Sequence, residues 1–182
     1  MSFPTSKFVF RIVLIAAGLL QASTAMAQTD DQLRKWCFGD ATDDQTIQGC
    51  ESIIKAGKGT TAKIEDAFYN LGISYANKGQ YDRAIQDYDQ AIKLNPNYVK
   101  AFNNRGLSYD NKGQHDRAIQ DYDQAIKLNP NDADAFYNRG LSHAHKGQYD
   151  RAIQDYDQAI KLDPNNAFAL GNRADAVAKK KK

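Results

Sequence analysis

Apolar and small side chains in this chain recur at helical spacing. Phe68, Leu71, Gly72 and Tyr75 follow one another at intervals that predict one face of a helix. Gly79 breaks that run. A second stripe of Ala84, Tyr88 and Ala91, with Ile85 and Ile92 beside it, predicts a second helix. Pro96 closes the unit, because the residue before a proline is pushed out of helical geometry. Gly72 and Ala84 are small enough for the two backbones to approach closely, while Tyr75 and Tyr88 fill the wider spaces between helices. On the polar face Arg83 stands one helical turn before Asp87, and Asp89 one turn before Lys93. Such pairs are expected to add a few tenths of a kcal/mol each.

The block from Gly79 to Pro96 then returns at Gly113 to Pro130, an offset of 34 in numbering, with only Tyr81 replaced, by His115. It returns again after another 34, at Gly147 to Pro164, with only Asn95 replaced, by Asp163. A fixed period of this length marks a solenoid, built from units that cannot bury their apolar faces alone and so stack on copies of themselves. Three units are expected, over 65–98, 99–132 and 133–166.

The segment 1–27 reads as a secretory leader outside this repeat. Lys7 and Arg11 are basic, Ile12 to Leu20 is an unbroken apolar run, and Ala25-Met26-Ala27 supplies a small-x-small cleavage pattern, with Gln28 as the expected mature N-terminus. The apolar run is shorter than the roughly 20 residues a membrane span needs. The leader holds two basic residues and no acidic ones, so its removal takes the formal charge from +2 to zero. A neutral chain has no overall pull toward nucleic acid or anionic lipid. The closing run Lys179 to Lys182 reads as a solvated tail, the alternative being an anchor on an acidic surface.

Phe68, Leu71-Gly72, Tyr75, Ala84, Tyr88, Ala91 and Pro96 resemble the motif of the tetratricopeptide repeat (TPR) family. Phe102, Gly106, Tyr109, Ala118, Tyr122, Ala125 and Pro130 repeat it, as do Phe136, Gly140, Ala152, Tyr156, Ala159 and Pro164. Arg105 and Arg139 depart from the usual Leu, and His143 from the usual Tyr. The resemblance implies an all-α fold, a right-handed superhelical solenoid of helix-turn-helix units, and a non-catalytic scaffold for protein binding.

The flanks fit the same register. Leu170, Ala174 and Val177 fall where Phe136, Gly140 and His143 fell, so 167–182 is expected to hold a lone capping helix. Asp44 to Lys55 aligns with Asp82 to Lys93 at a displacement of 38, one period plus a four-residue insertion expected within Gly57 to Thr61. Positions 28–64 are thus a degenerate first unit. Cys50 takes the Tyr88 place, and Cys37 precedes it by the interval that separates Tyr75 from Tyr88; those two places face each other across the family's hairpin. A Cys37–Cys50 disulfide is expected, in keeping with export, and would be worth roughly 3 kcal/mol by loop closure. Two buried free thiols are the alternative.

The second helices are almost identical between units and cannot supply position-specific recognition. The family's concave groove is lined by the first helices. By position, that assigns Tyr69, Asn70, Ile73, Asn103, Asn104, Leu107, Tyr137, Asn138, Leu141 and Asn172 to a peptide-binding wall. Asn70, Asn104, Asn138 and Asn172 recur once per period, and an amide that both donates and accepts can pair with a peptide backbone whatever its sequence. Bonds between neighbouring helices are the other use for this series. The family's carboxylate clamp is matched only at Asn104; Tyr69, Ile73, Asp134 and Asn138 stand where it needs Lys, Asn, Lys and Arg. Arg105, Arg139 and Arg173 form a second series, read as inter-repeat bonds to carboxylates or helix ends.

No Gly-rich phosphate loop, nucleophile elbow or zinc-protease motif is present. His143-x-His145 points to two helix faces, so that pair gives no shared metal site, and no cofactor is expected. The expected partner is a protein or an extended peptide and not nucleic acid, no integral membrane segment is expected after cleavage, and the expected location is a bacterial periplasm or the outside. Self-assembly into a homo-oligomer and service as an accessory subunit of an envelope enzyme are the competing readings.

Overall fold

A computed structural model describes residues 30–181 apart from position 58. The leader and its cleavage after Ala27 lie outside those residues. The described chain is all helix, joined by short turns. Helix α1 covers 30–38. It is followed by α2 (Asp43–Ala56), α3 (Thr61–Asn77), α4 (Tyr81–Leu94), α5 (Val99–Asn111), α6 (His115–Leu128), α7 (Ala133–His145), α8 (Tyr149–Leu162) and α9 (Ala167–Lys180). From α2 onward each helix packs on the next, giving an all-α solenoid.

Local chemistry sets the turns. Gly79, Gly113 and Gly147 each take φ +71°, a left-handed conformation that costs glycine nothing. Gln80 N–H then reaches back to Tyr75 O at 2.8 Å, closing the first helix of the hairpin, and Gln114 and Gln148 do the same at 2.9 Å. At the far end of the unit, the side chains of Asn95, Asn129 and Asp163 accept from the backbone N–H two residues on, at 3.0–3.2 Å. That turn and the following proline stop the second helix.

Each hairpin core is a tyrosine ring laid on a glycine. Tyr88, Tyr122 and Tyr156 are at most 1% exposed. A Cβ on Gly72, Gly106 or Gly140 would stand 2.4, 2.8 or 2.7 Å from the respective ring. The Tyr88 ring lies against Gly72, so that a side chain there has no room. In the third unit the Ala152 carbonyl would also stand 3.3 Å from a Cβ on Gly140.

The cap follows the expected register with one difference. α3 has 17 residues where α5 and α7 have 13, while the α2–α3 connection has the same length as the α4–α5 connection. The four inserted residues are an extra helical turn at the start of α3, capped by Thr60, and not an enlarged loop. Cys37 and Cys50 sit at disulfide distance, Sγ–Sγ 2.05 Å, both buried.

The lysine tail is also different. α9 runs through Lys180, whose Nζ pairs with Asp150. That pair is the last of a ladder, Lys78–Asp44, Lys112–Asp82, Lys146–Asp116 and Lys180–Asp150, each linking one unit to the next. The expected Asp89–Lys93 pair gives way to Asp89–Arg105, and Arg83 lies over the Tyr75 ring at 5.3 Å while donating to Gln80.

Candidate functional site

The first helices touch in series: α3 meets α5, α5 meets α7, and α7 meets α9, whereas α4, α6 and α8 do not approach one another. A layer in contact along its length is the short, inner side of a curved stack. On that inner layer Tyr69, Asn70, Ile73, Asn103, Asn104, Tyr137, Asn138, Leu141 and Asn172 are half-buried, and Leu107 is 47% exposed. Two recesses flank Ile73. One of about 320 Å³ lies against the cap and is lined by Cys37, Phe38, Asn70 and Asn77; another of about 200 Å³ opens toward the second unit, lined by Tyr81, Asn104, Leu107 and Asn111.

Three of the four serial asparagines tie a first helix to the one before it. The Nδ2 of Asn70 donates to Cys37 O at 2.8 Å, that of Asn104 to the Tyr69 hydroxyl at 3.1 Å, and that of Asn172 to the Tyr137 hydroxyl at 2.9 Å. Their second amide hydrogen and their carbonyl oxygen are not used in those bonds. The Tyr69 hydroxyl is pushed up by burial, with the Asn104 bond acting the other way. The series breaks at Asn138, because the place filled by Tyr69 and Tyr137 in the neighbouring units is Asn103. Asn103 turns to Asp132 at 3.0 Å, and its Oδ1 is buried without a partner. An unmet acceptor of this kind costs about 1–3 kcal/mol.

The arginines hold the units together. Arg105 grips Asp121 through Nε and Nη2 at 2.8 and 2.6 Å and reaches Asp89 of the preceding unit through Nη1 at 2.5 Å. Arg139 repeats this with Asp155 at 3.0 and 2.6 Å and Asp123 at 2.6 Å, and Arg173 pairs with Asp157. Burial raises the Asp121 carboxyl while Arg105 opposes the rise. Leu71 fills this place in the first unit, so Asp87 lacks such an arginine. Burial, with the Glu51 charge added, pushes its carboxyl up to about 7, Arg83 opposing. Glu51 itself accepts from the Tyr75 hydroxyl at 2.8 Å.

Two acids of the first helices, one on α3 and one on α5, are engaged within the protein. Asp66 accepts from the Tyr98 hydroxyl at 2.8 Å, and Asp110 is held by His115, Tyr122 and Ser142. His143 and His145 point apart: His143 is buried with Nδ1 2.8 Å from the Gln148 side chain, and His145 is exposed.

Two profiles described as tetratricopeptide repeat match the chain, over residues 65–98 and 103–167. The chain belongs to the tetratricopeptide repeat family. Among solved structures it resembles YrrB, described as a TPR protein with an unusual peptide-binding site, at 28% identity and TM-score 0.65, covering 72% of this chain and 66% of that one. It also resembles the second TPR domain of human RPAP3 in complex with an HSP70 peptide, at 25% identity and TM-score 0.62, covering 64% and 98%. A curated relative, the Photosystem I assembly protein Ycf3 of Acaryochloris marina, is 46% identical over 33 residues, 18% of this chain. The chain matches only a fifth of that relative's length.

Proposed function

We propose that this protein is an exported, non-catalytic scaffold of the bacterial cell envelope that holds an extended peptide or partner segment in the groove of α3, α5, α7 and α9. The observation that carries the reading is the inner wall itself, where the side chains that differ between units gather and where Leu107 remains 47% exposed. The outer helices repeat one sequence, so position-specific contacts belong to the inner layer. Likeness to a protein described as having an unusual peptide-binding site and to a TPR domain in complex with a peptide points the same way.

The ligand is a neutral or weakly basic segment rather than an acidic chaperone tail, because Tyr69, Ile73, Asp134 and Asn138 replace the clamp. The test is selection from a displayed peptide library, followed by calorimetry on the winners. Leu107→Asp and Asn138→Ala are expected to weaken binding at least tenfold with an unchanged melting temperature. Binding that is indifferent to both substitutions removes the groove from the proposal. Export is tested by the mass of the chain from a secreting host: it begins at Gln28, and an uncut Met1 chain refutes it.

A second reading, self-assembly, draws on α9, the last described helix, where Phe168 is 77% and Leu170 47% exposed. Light scattering that shows a concentration-independent monomer removes it.

A further inference from the structure

Three residues that break the repeat meet at one point. Asp110 stands where the other units have Ala76 and Ala144, His115 where they have Tyr81 and Tyr149, and His145 where they have Asn77 and Asn111. The first two lie on α5 and α6 of one unit and the third on α7 of the next. In the structure, His115 Nδ1 is 2.9 Å from Asp110 Oδ1, and the His115 and His145 rings are 4.9 Å apart between centroids, tilted by 47°.

The hydrogen bonds around Asp110 settle the His115 tautomer. Asp110 Oδ2 accepts from the Ser142 hydroxyl at 2.6 Å and from the Tyr122 hydroxyl at 3.1 Å. Donors thus already face this carboxylate, which has lone pairs to offer and no proton to give. His115 Nδ1 must donate to it, and in the neutral ring Nε2 then carries the lone pair. A carboxylate behind an imidazole in this way fixes the ring and strengthens it as a metal ligand.

We propose that His115 and His145 form a binding site for a late first-row divalent metal ion, Zn²⁺ or Cu²⁺, with Asp110 as the positioning residue behind His115. Two imidazoles that share an ion at about 2.0–2.1 Å each hold their ring centroids roughly 5 Å apart, the separation found here. His145 is exposed on the last turn of α7, so its ring is free to present a nitrogen. A recess of about 360 Å³ is lined by His115 together with Asp116, Arg117 and Lys146, and Lys146 is paired with Asp116. Among the described residues no three His, Cys, Asp or Glu side chains converge as a cage. The protein therefore gives two ligands, with water completing the coordination, and imidazole selects Zn²⁺ or Cu²⁺ over Mg²⁺.

The test is calorimetric titration of the untagged mature chain with Zn²⁺, Mg²⁺ serving as the control, alongside histidine ring NMR. One Zn²⁺ per chain is expected, shifting the rings of His115 and His145 and not that of His143. His115→Tyr and His145→Asn install what the other units carry, so the fold is expected to persist, with affinity lowered at least tenfold in each. Asp110→Ala is expected to lower it by about tenfold. Equal Zn²⁺ affinity in the wild type and the His115→Tyr/His145→Asn variant overturns the proposal, as does a shift centred on His143.

Discussion

Arg105 offers a perturbation whose result the chain itself foreshadows. Arg105→Leu places at unit two the residue that unit one already has, Leu71, which is 3% exposed. The substitution removes two bonds to Asp121, whose side chain is 6% exposed, and one to Asp89, which is 46% exposed. Breaking a buried pair by deleting one partner costs about 3–5 kcal/mol. Arg105 retains 17% exposure and the Asp89 arm is half-solvated, so roughly 2–3 kcal/mol is expected here. For a domain of this size that corresponds to a fall of roughly 5–10 °C in melting temperature at pH 8, read by circular dichroism. The deficit should depend on pH. Without Arg105, the burial that raises Asp121 acts unopposed, much as burial raises Asp87. A carboxyl whose folded value is raised contributes stability while protonated and loses it as pH rises through that value. The variant should therefore recover part of its loss between pH 8 and pH 5. Arg105→Leu/Asp121→Asn should regain at least half of the loss at pH 8. Equal melting temperatures for the wild type and the single variant at pH 8, or no gain in the double variant, refute the reasoning.

Further outcomes follow from the same packing. Gly72→Ala puts a Cβ 2.4 Å from the buried Tyr88 ring, so the cost of overpacking, about 1–3 kcal/mol, should outweigh the gain in helix propensity, about 1 kcal/mol. Gly171→Ala meets nothing within 4 Å and should stabilise by up to about 1 kcal/mol; urea titration of both reads the difference in sign. Asp87→Asn should raise the melting temperature at pH 8 and leave it near wild type at pH 5, because the Asp87 carboxyl, raised to about 7, is ionised only at the higher pH. A pH-independent difference removes the assigned cause.

Much of the architecture is legible without coordinates. The repeat period fixes helix positions and hairpin pairing, since each copy must bury the same stripe. It also locates the Cys37 and Cys50 places, which the structure brings to disulfide distance. The Lys78, Lys112, Lys146 and Lys180 ladder has the same period, and so do its partners Asp82, Asp116 and Asp150. Pairing surface charges within one helix hides that ladder, and it misplaces Arg83 and Asp89, which turn to other partners.

What stays hidden depends on contacts between units. Spacing along one helix places the asparagine series on a face but cannot show that Asn70, Asn104 and Asn172 each lean on the preceding unit while Asn138 meets a place without tyrosine. The same spacing sets His145 against His143 alone, because the His115 ring enters its neighbourhood only when α6 packs on α7. Repetition in the sequence dictates the form of a unit, because every copy solves the same burial problem. The stacking of units decides which odd residues meet, because that adjacency arises across the hairpin interfaces and has no period of its own.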